Sequence, residues 1–88
     1  MNEKDLQLLI RNDHRIVRLH MKDGELVTAK VLFVSETEQD VIVDLISSTT
    51  PARYEKSDVQ PAFQYSFADI DWVESIEDLR NEIGRAHV

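Results

Sequence analysis

The sequence predicts a mainly β fold: a five-stranded, strongly bent antiparallel barrel with a short helix before it and a second short helix in the tail. Three observations carry this. Apolar and polar residues alternate with a period of two over most of residues 16–76, a tight Asp-Gly turn follows the first alternating run, and helical periodicity is confined to the two ends. Five antiparallel strands of this length ordinarily close into a small barrel. The 88 residues read as a single domain, 1–88. A chain of this size buries roughly 60–65% of the surface its unfolded form exposes. That allows one core, leaves little room for a deep substrate cavity, and argues against an ordinary multi-step enzyme.

Asn2 offers a helix N-cap, Glu3 and Asp5 place acids in the first turn, and Leu6, Leu9 and Ile10 recur at helical spacing. These features predict a helix over about 3–11, too short to be stable without docking its apolar side. Strands follow over about 15–22 and 26–35, where Val17, Leu19 and Met21 alternate with Arg18, His20 and Lys22, and Val27, Ala29, Val31 and Phe33 alternate with Thr28, Lys30 and Leu32. An Asp23-Gly24-Glu25 loop would pair Met21 with Val27, Leu19 with Ala29 and Val17 with Val31, keeping charge off the core face. A two-residue loop would instead put Thr28 and Lys30 opposite the core residues.

A polar turn at residues 36–40 leads to a third strand, about 40–47. Leu32, Val34, Ile42 and Ile46 are expected on the face opposite the core, so a second apolar face needs a cover, supplied by the N-terminal helix or a neighbouring subunit. Residues 47–62 read as a long connection with Pro51 and Pro61 near its ends. Phe63, Tyr65 and Phe67 mark a fourth strand, about 62–68, and Ile70 to Ile76 a fifth, about 70–76. In the tail, 77–88, Ser75 and Asp78 have capping-box spacing, and Ile76, Leu79 and Ile83 form one helical stripe ending at Gly84.

With 42% hydrophobic residues the chain is too apolar to be disordered, and without cysteine it has neither a disulfide framework nor a thiolate zinc site. No signal peptide or membrane span is read, and a cytoplasmic protein is expected. The net charge of −7 is uneven: residues 1–34 hold six basic and five acidic side chains, residues 35–88 four and twelve. A polyanion would meet an unfavourable field over the second part.

The helix, the hairpin from Val17 through Lys22-Asp23-Gly24-Glu25 to Val31, and the closing segment Phe67–Ile76 resemble the Sm-like (LSm) family of small SH3-like barrels, over roughly residues 3–77. The hairpin turn, the size and the acidity are also similar to acidic members of that fold such as the Rho inhibitor Rof. The resemblance implies a five-stranded barrel that assembles into rings by pairing the fourth strand of one subunit with the fifth of the next. It does not carry the family's single-stranded RNA site. Ser35 and Gln39 stand where the family's first motif has Asp and Asn, and Ala68-Asp69 stands where its second has an Arg-Gly-like pair. An acid there repels phosphate.

No nucleophile elbow, phosphate loop or His-Glu-x-x-His motif is present, so no catalytic, cofactor-binding or metal-binding residues are assigned. His14, His20 and His87 read as solvated. The acidic run Asp69, Asp71, Glu74, Glu77 and Asp78 lacks the spacing of a calcium loop and reads as a solvated face. Arg15, Arg18, His20 and Lys30, with Arg11 nearby, form the candidate nucleic-acid face, which needs an aromatic beside the cations. A charged outer face balancing neighbouring acids is the simpler reading, so nucleic acid is disfavoured. Phe63, Tyr65, Phe67 and Trp72 are the candidate oligomer interface; Phe63 and Phe67 are expected to be buried and Tyr65 partly so. Segment 63–76 carries no Lys, Arg or Pro to block strand pairing, which predicts a homo-oligomer. The expected function is therefore a non-enzymatic interaction module that self-associates and binds protein partners with basic surfaces, with RNA binding as the alternative.

Overall fold

The computed structural model describes residues 1–54 and 62–76. The first helix, α1 (Glu3–Arg11), starts where the side chain of Asn2 accepts the amide of Asp5 at 3.0 Å and the Asp5 carboxylate accepts the amide of Asn2 at 3.1 Å. This reciprocal box satisfies two amide donors at the helix start. The helix ends at Asn12, whose side-chain amide donates to the Leu8 carbonyl at 2.7 Å. His14, with φ of 63°, then turns the chain, and its amide donates to Val31 at 2.7 Å.

Five strands follow: β1 (Ile16–Met21), β2 (Leu26–Ser35), β3 (Asp40–Ser48), β4 (Ala62–Ser66) and β5 (Ile70–Ser75). They form one antiparallel sheet in the order β4-β3-β2-β1-β5. The sheet is strongly bent but not closed: β4 and β5 are its edges and do not pair with each other among the described residues. Register shifts at Thr28/Ala29 and Val31/Phe33 break the β2–β3 ladder, and extra residues of this kind increase local bend and twist. The short 3-10 turn Phe67–Asp69 joins the two edge strands. It is stitched to the rest by Phe67 donating to Gln39 and Lys22 donating to Asp69, both at 2.9 Å.

The core lies on the concave side. Val17 and Leu19 from β1, Val27 and Val31 from β2, Val43 from β3 and Ile70 from β5 are fully buried there, as is Leu9 of α1. The helix packs chiefly on β5 and less on β2. It therefore caps the main core, whereas the sequence suggested it as a cover for the second apolar face. Two polar contacts pin it: the amide of Val73 donates to Asp5 at 3.1 Å, and the Ser75 hydroxyl donates to Asn12 at 3.0 Å.

Two expectations about register need correction. The β1–β2 loop is Lys22-Asp23-Gly24, closed by Met21 donating to Glu25 at 2.9 Å, so Leu19 faces Val27 and Val17 faces Ala29. The expected register differs by two residues, which leaves parity unchanged. Gly24, with φ of 97°, takes the left-handed position that lets a three-residue loop close. One consequence is that Glu25 leaves the loop and enters the core side of β2, where it is buried. The second correction concerns the bulge after Val31. It turns Phe33 outward opposite Ile42 and brings Val34 toward the core opposite Val41, the reverse of simple alternation. Phe63 is half-buried rather than buried, as is Tyr65, while Phe67 is buried from the 3-10 turn instead of a strand.

Residues 51–54 of the long connection form a 3-10 turn. The rest of that loop up to residue 61, and the expected tail helix, lie outside the described residues.

The double role of Asp5 is directly measurable. Asp5→Ala removes a helix cap and leaves the Val73 amide without its acceptor, a loss of about 2 kcal/mol in urea unfolding. Glu3→Ala, at an exposed site on the same turn, changes stability by less than about 0.5 kcal/mol.

Candidate functional site

The convex faces of β1 and β5 bring together residues from both candidate surfaces. His20 lies opposite Trp72 and Arg18 opposite Glu74. The His20 imidazole stacks on the Trp72 ring with centroids 3.6 Å apart and an interplanar angle of 10°. Its Nε2 is 3.2 Å from Glu74 Oε1, and an Arg18 guanidinium nitrogen is 3.7 Å from that same oxygen. Trp72 remains 45% exposed. One carboxylate thus faces two of the four candidate nucleic-acid residues. Lys30 lies opposite Asp44 on the other side of the sheet and opposite Ile16 of β1. Arg15 is exposed between α1 and β1. The cations are therefore flanked by an acid on β5 and another on β3.

Trp72 supplies the aromatic neighbour that the cationic face needs, which the sequence sought in the fourth strand. Phe63 and Tyr65 instead pack from β4 against the core, and Phe67 sits in the adjoining turn. The candidate interface aromatics accordingly fall in two places. His14 is exposed, with Nδ1 2.9 Å from the Asp13 carboxylate. Asp69 and Asp71 are exposed and Glu74 is half-buried, while Glu77, Asp78 and His87 lie outside the described residues. Among the described residues no three His, Asp or Glu side chains gather in a metal-holding group. No described helix is long and apolar enough to cross a membrane.

A second cluster was not read from the sequence. The buried Glu25 carboxylate accepts the Ser48 hydroxyl at 2.5 Å and an Arg53 guanidinium nitrogen at 2.8 Å. Arg53 also reaches Asp23 at 2.7 Å. Asp23, Glu25 and Arg53 border a cavity of about 440 Å³ that Met21, Phe63 and Tyr65 also line. The amide of Glu25 and then the Arg53 guanidinium hold the Asp23 carboxyl below the usual carboxylate range; its hydrogen bond to Asp23 pushes Arg53 up. The cluster joins the β1–β2 loop to the end of β3 and the 3-10 turn beyond it. The signal that could have revealed it was a glutamate two residues before Val27, at core parity. Placing Glu25 in the loop hid that parity.

Because the folded-state pKa of Asp23 is depressed, its stabilising contribution is present above about pH 4 and is lost as pH falls through the lowered value. Arg53→Met raises the Asp23 midpoint toward the ordinary range in an NMR titration of the carboxyl carbon, with the Glu25 amide retaining part of the depression. An unmoved midpoint would contradict the assigned pairing.

No protein-family model and no curated protein matches the chain. Among solved structures, the crystal structure of the SmAP (LSm) protein from Methanococcus vannielii is similar, with 15% sequence identity and a TM-score of 0.59. The match covers 83% of this chain and 96% of that one. At that identity the likeness concerns the backbone, and with the strand order and the N-terminal helix it places the chain in the Sm-like fold.

Proposed function

We propose that the protein is a non-enzymatic Sm-like interaction module that self-associates through the outer edges of β4 and β5 and binds protein partners offering basic surfaces. The observation that carries this reading is the open sheet, which leaves those two strands as its edges, although on β5 the Val73 amide is already taken by Asp5 and the Ile70 carbonyl by the Met1 amine. Phe67 donates to Gln39 in continuation of the β3–β4 ladder, so by antiparallel alternation the amides of Gln64 and Ser66 face away from β3. Outward amides of this kind can pair with a strand from another chain. The acidic balance of the second half of the chain favours a basic partner surface.

RNA binding at Arg15, Arg18, His20 and Lys30 is the second reading. Trp72 beside His20 favours it, and Glu74 and Asp44 oppose it.

Light scattering at tens of micromolar distinguishes these readings when combined with an oligonucleotide titration. The expected mass is a multiple of the 10.2 kDa chain. Gln64→Pro, or Ser66→Pro at a φ of −72° that suits the proline ring, shifts it toward one chain by removing an outward amide. A wild-type mass of one chain would overturn the self-association reading. Salt-sensitive binding of short single-stranded RNA tighter than about 10 μM would favour the second reading.

A further inference from the structure

Between the outer side of α1 and the far end of β2 runs a groove of about 620 Å³ floored by Ile10, Phe33 and Val34, with Gln7 and Glu36 on its rim. It continues over the same three apolar residues to Asp13. Phe33 is 58% and Ile10 38% exposed, and adjacent exposed apolar side chains of this size mark a contact surface. The bulge after Val31 is what turns Phe33 into this position. The Ser35 hydroxyl accepts the Glu38 amide at 3.0 Å, which fixes the turn that carries Glu36.

We propose, on the basis of the basic-partner reading above, that this groove receives an amphipathic helix of another protein, with two apolar side chains over Phe33 and Ile10 and a lysine or arginine toward each end. Charge favours this occupant. The charged residues lining the groove and its extension are Glu36 and Asp13, and no Lys or Arg lines either. Arg11 and Arg15 belong to the connection around Asp13 but lie outside that lining. Glu38 adds a third acid in the turn, and among the described residues neither Glu36 nor Glu38 has an ion pair. Asp13 meets the exposed His14.

The spacing of the acids fits a helix. Asp13 bridges to Val31, and Glu36 follows five residues later, about 16 Å at strand rise. An α-helix covers that distance in about eleven residues. Cations at its first and twelfth positions and apolar side chains at its fifth and eighth share one face, so each end meets an acid while the middle covers the floor. A second copy is a poorer occupant, because two-fold pairing through this face sets acid against acid.

The test uses the full chain labelled with nitrogen-15 and a capped, alanine-rich peptide of about fourteen residues carrying lysine and leucine in that pattern. At low salt the peptide is expected to shift the amides of Ile10, Phe33, Val34 and Glu36 saturably, and to bind at least about tenfold tighter than the same peptide with glutamate in place of lysine. Phe33→Ser and Glu36→Lys, both at exposed positions, each weaken binding at least about fivefold, while Ile46→Ser at the opposite end of the β2–β3 ladder leaves it unchanged. Equal binding of the two peptides overturns the proposal. Saturable shifts confined to residues 69–74 overturn it while leaving the basic-partner reading in place, and no saturable shift of any amide by about 1 mM ends both. Groove amides that move with protein concentration alone give the groove to a second copy, and movement on Leu79→Ser without peptide gives it to the chain's own tail; either result also overturns it.

Discussion

The Asp5 carboxylate accepts the amide of Asn2 with one oxygen and the amide of Val73 with the other, at 3.1 Å each. Through that one group, the start of the helix and the last strand are fixed to each other. By antiparallel alternation the Val73 amide faces away from β1, so Asp5 satisfies a donor on the outer edge of β5. The helix could not be stable alone at nine residues. Docked this way, it delivers Leu9 to the core, where full burial of such a side chain contributes about 2 kcal/mol. Asn12 and Ser75 make the corresponding contact at the other end of the helix, and the core lies beneath the span between them.

The charge distribution acquires a geometric meaning from the sheet order. Because β5 returns beside β1, Glu74 lies next to Arg18 and His20 even though more than fifty residues separate them in sequence. Lys30 is the ladder partner of Asp44 on the other flank. Cations of the near-balanced first part therefore lie beside acids of the second part at these two places. A strand read alone as cationic becomes the middle row of a mixed surface. Exposed pairs of this kind contribute little to stability. Their larger effect is to weaken the field that a polyanion would meet.

Much of this arrangement was legible in the sequence, and the failures share a cause. Asn2 and Asp5 announce the helix start because capping chemistry is local. The strands show because alternation survives wherever one face is buried. The β1–β2 register was missed by two residues because both registers keep Val17, Leu19 and Val27 on the same face, and periodicity cannot separate them. The decision rests on where Gly24 falls in the loop, which is a matter of backbone geometry. At Phe33 and Val34 the pattern failed for another reason: one extra residue in the ladder exchanges faces without leaving a compositional mark. The Glu25–Arg53–Ser48 cluster was invisible because its members meet through a fold whose loop had first been placed differently. The resemblance to Sm-like proteins survived these errors because it depends on strand order and elements more than on individual pairings.

The stacking of Trp72 on His20 gives the molecule an optical handle. Trp72 is the sole tryptophan of the chain, and it sits across the β1–β5 seam with part of its indole in water. Its emission therefore reports on the pairing of the first and last strands without any label. A change confined to the far side of the sheet leaves that signal nearly silent, whereas separation of β5 from β1 alters both the stack and the hydration of the ring.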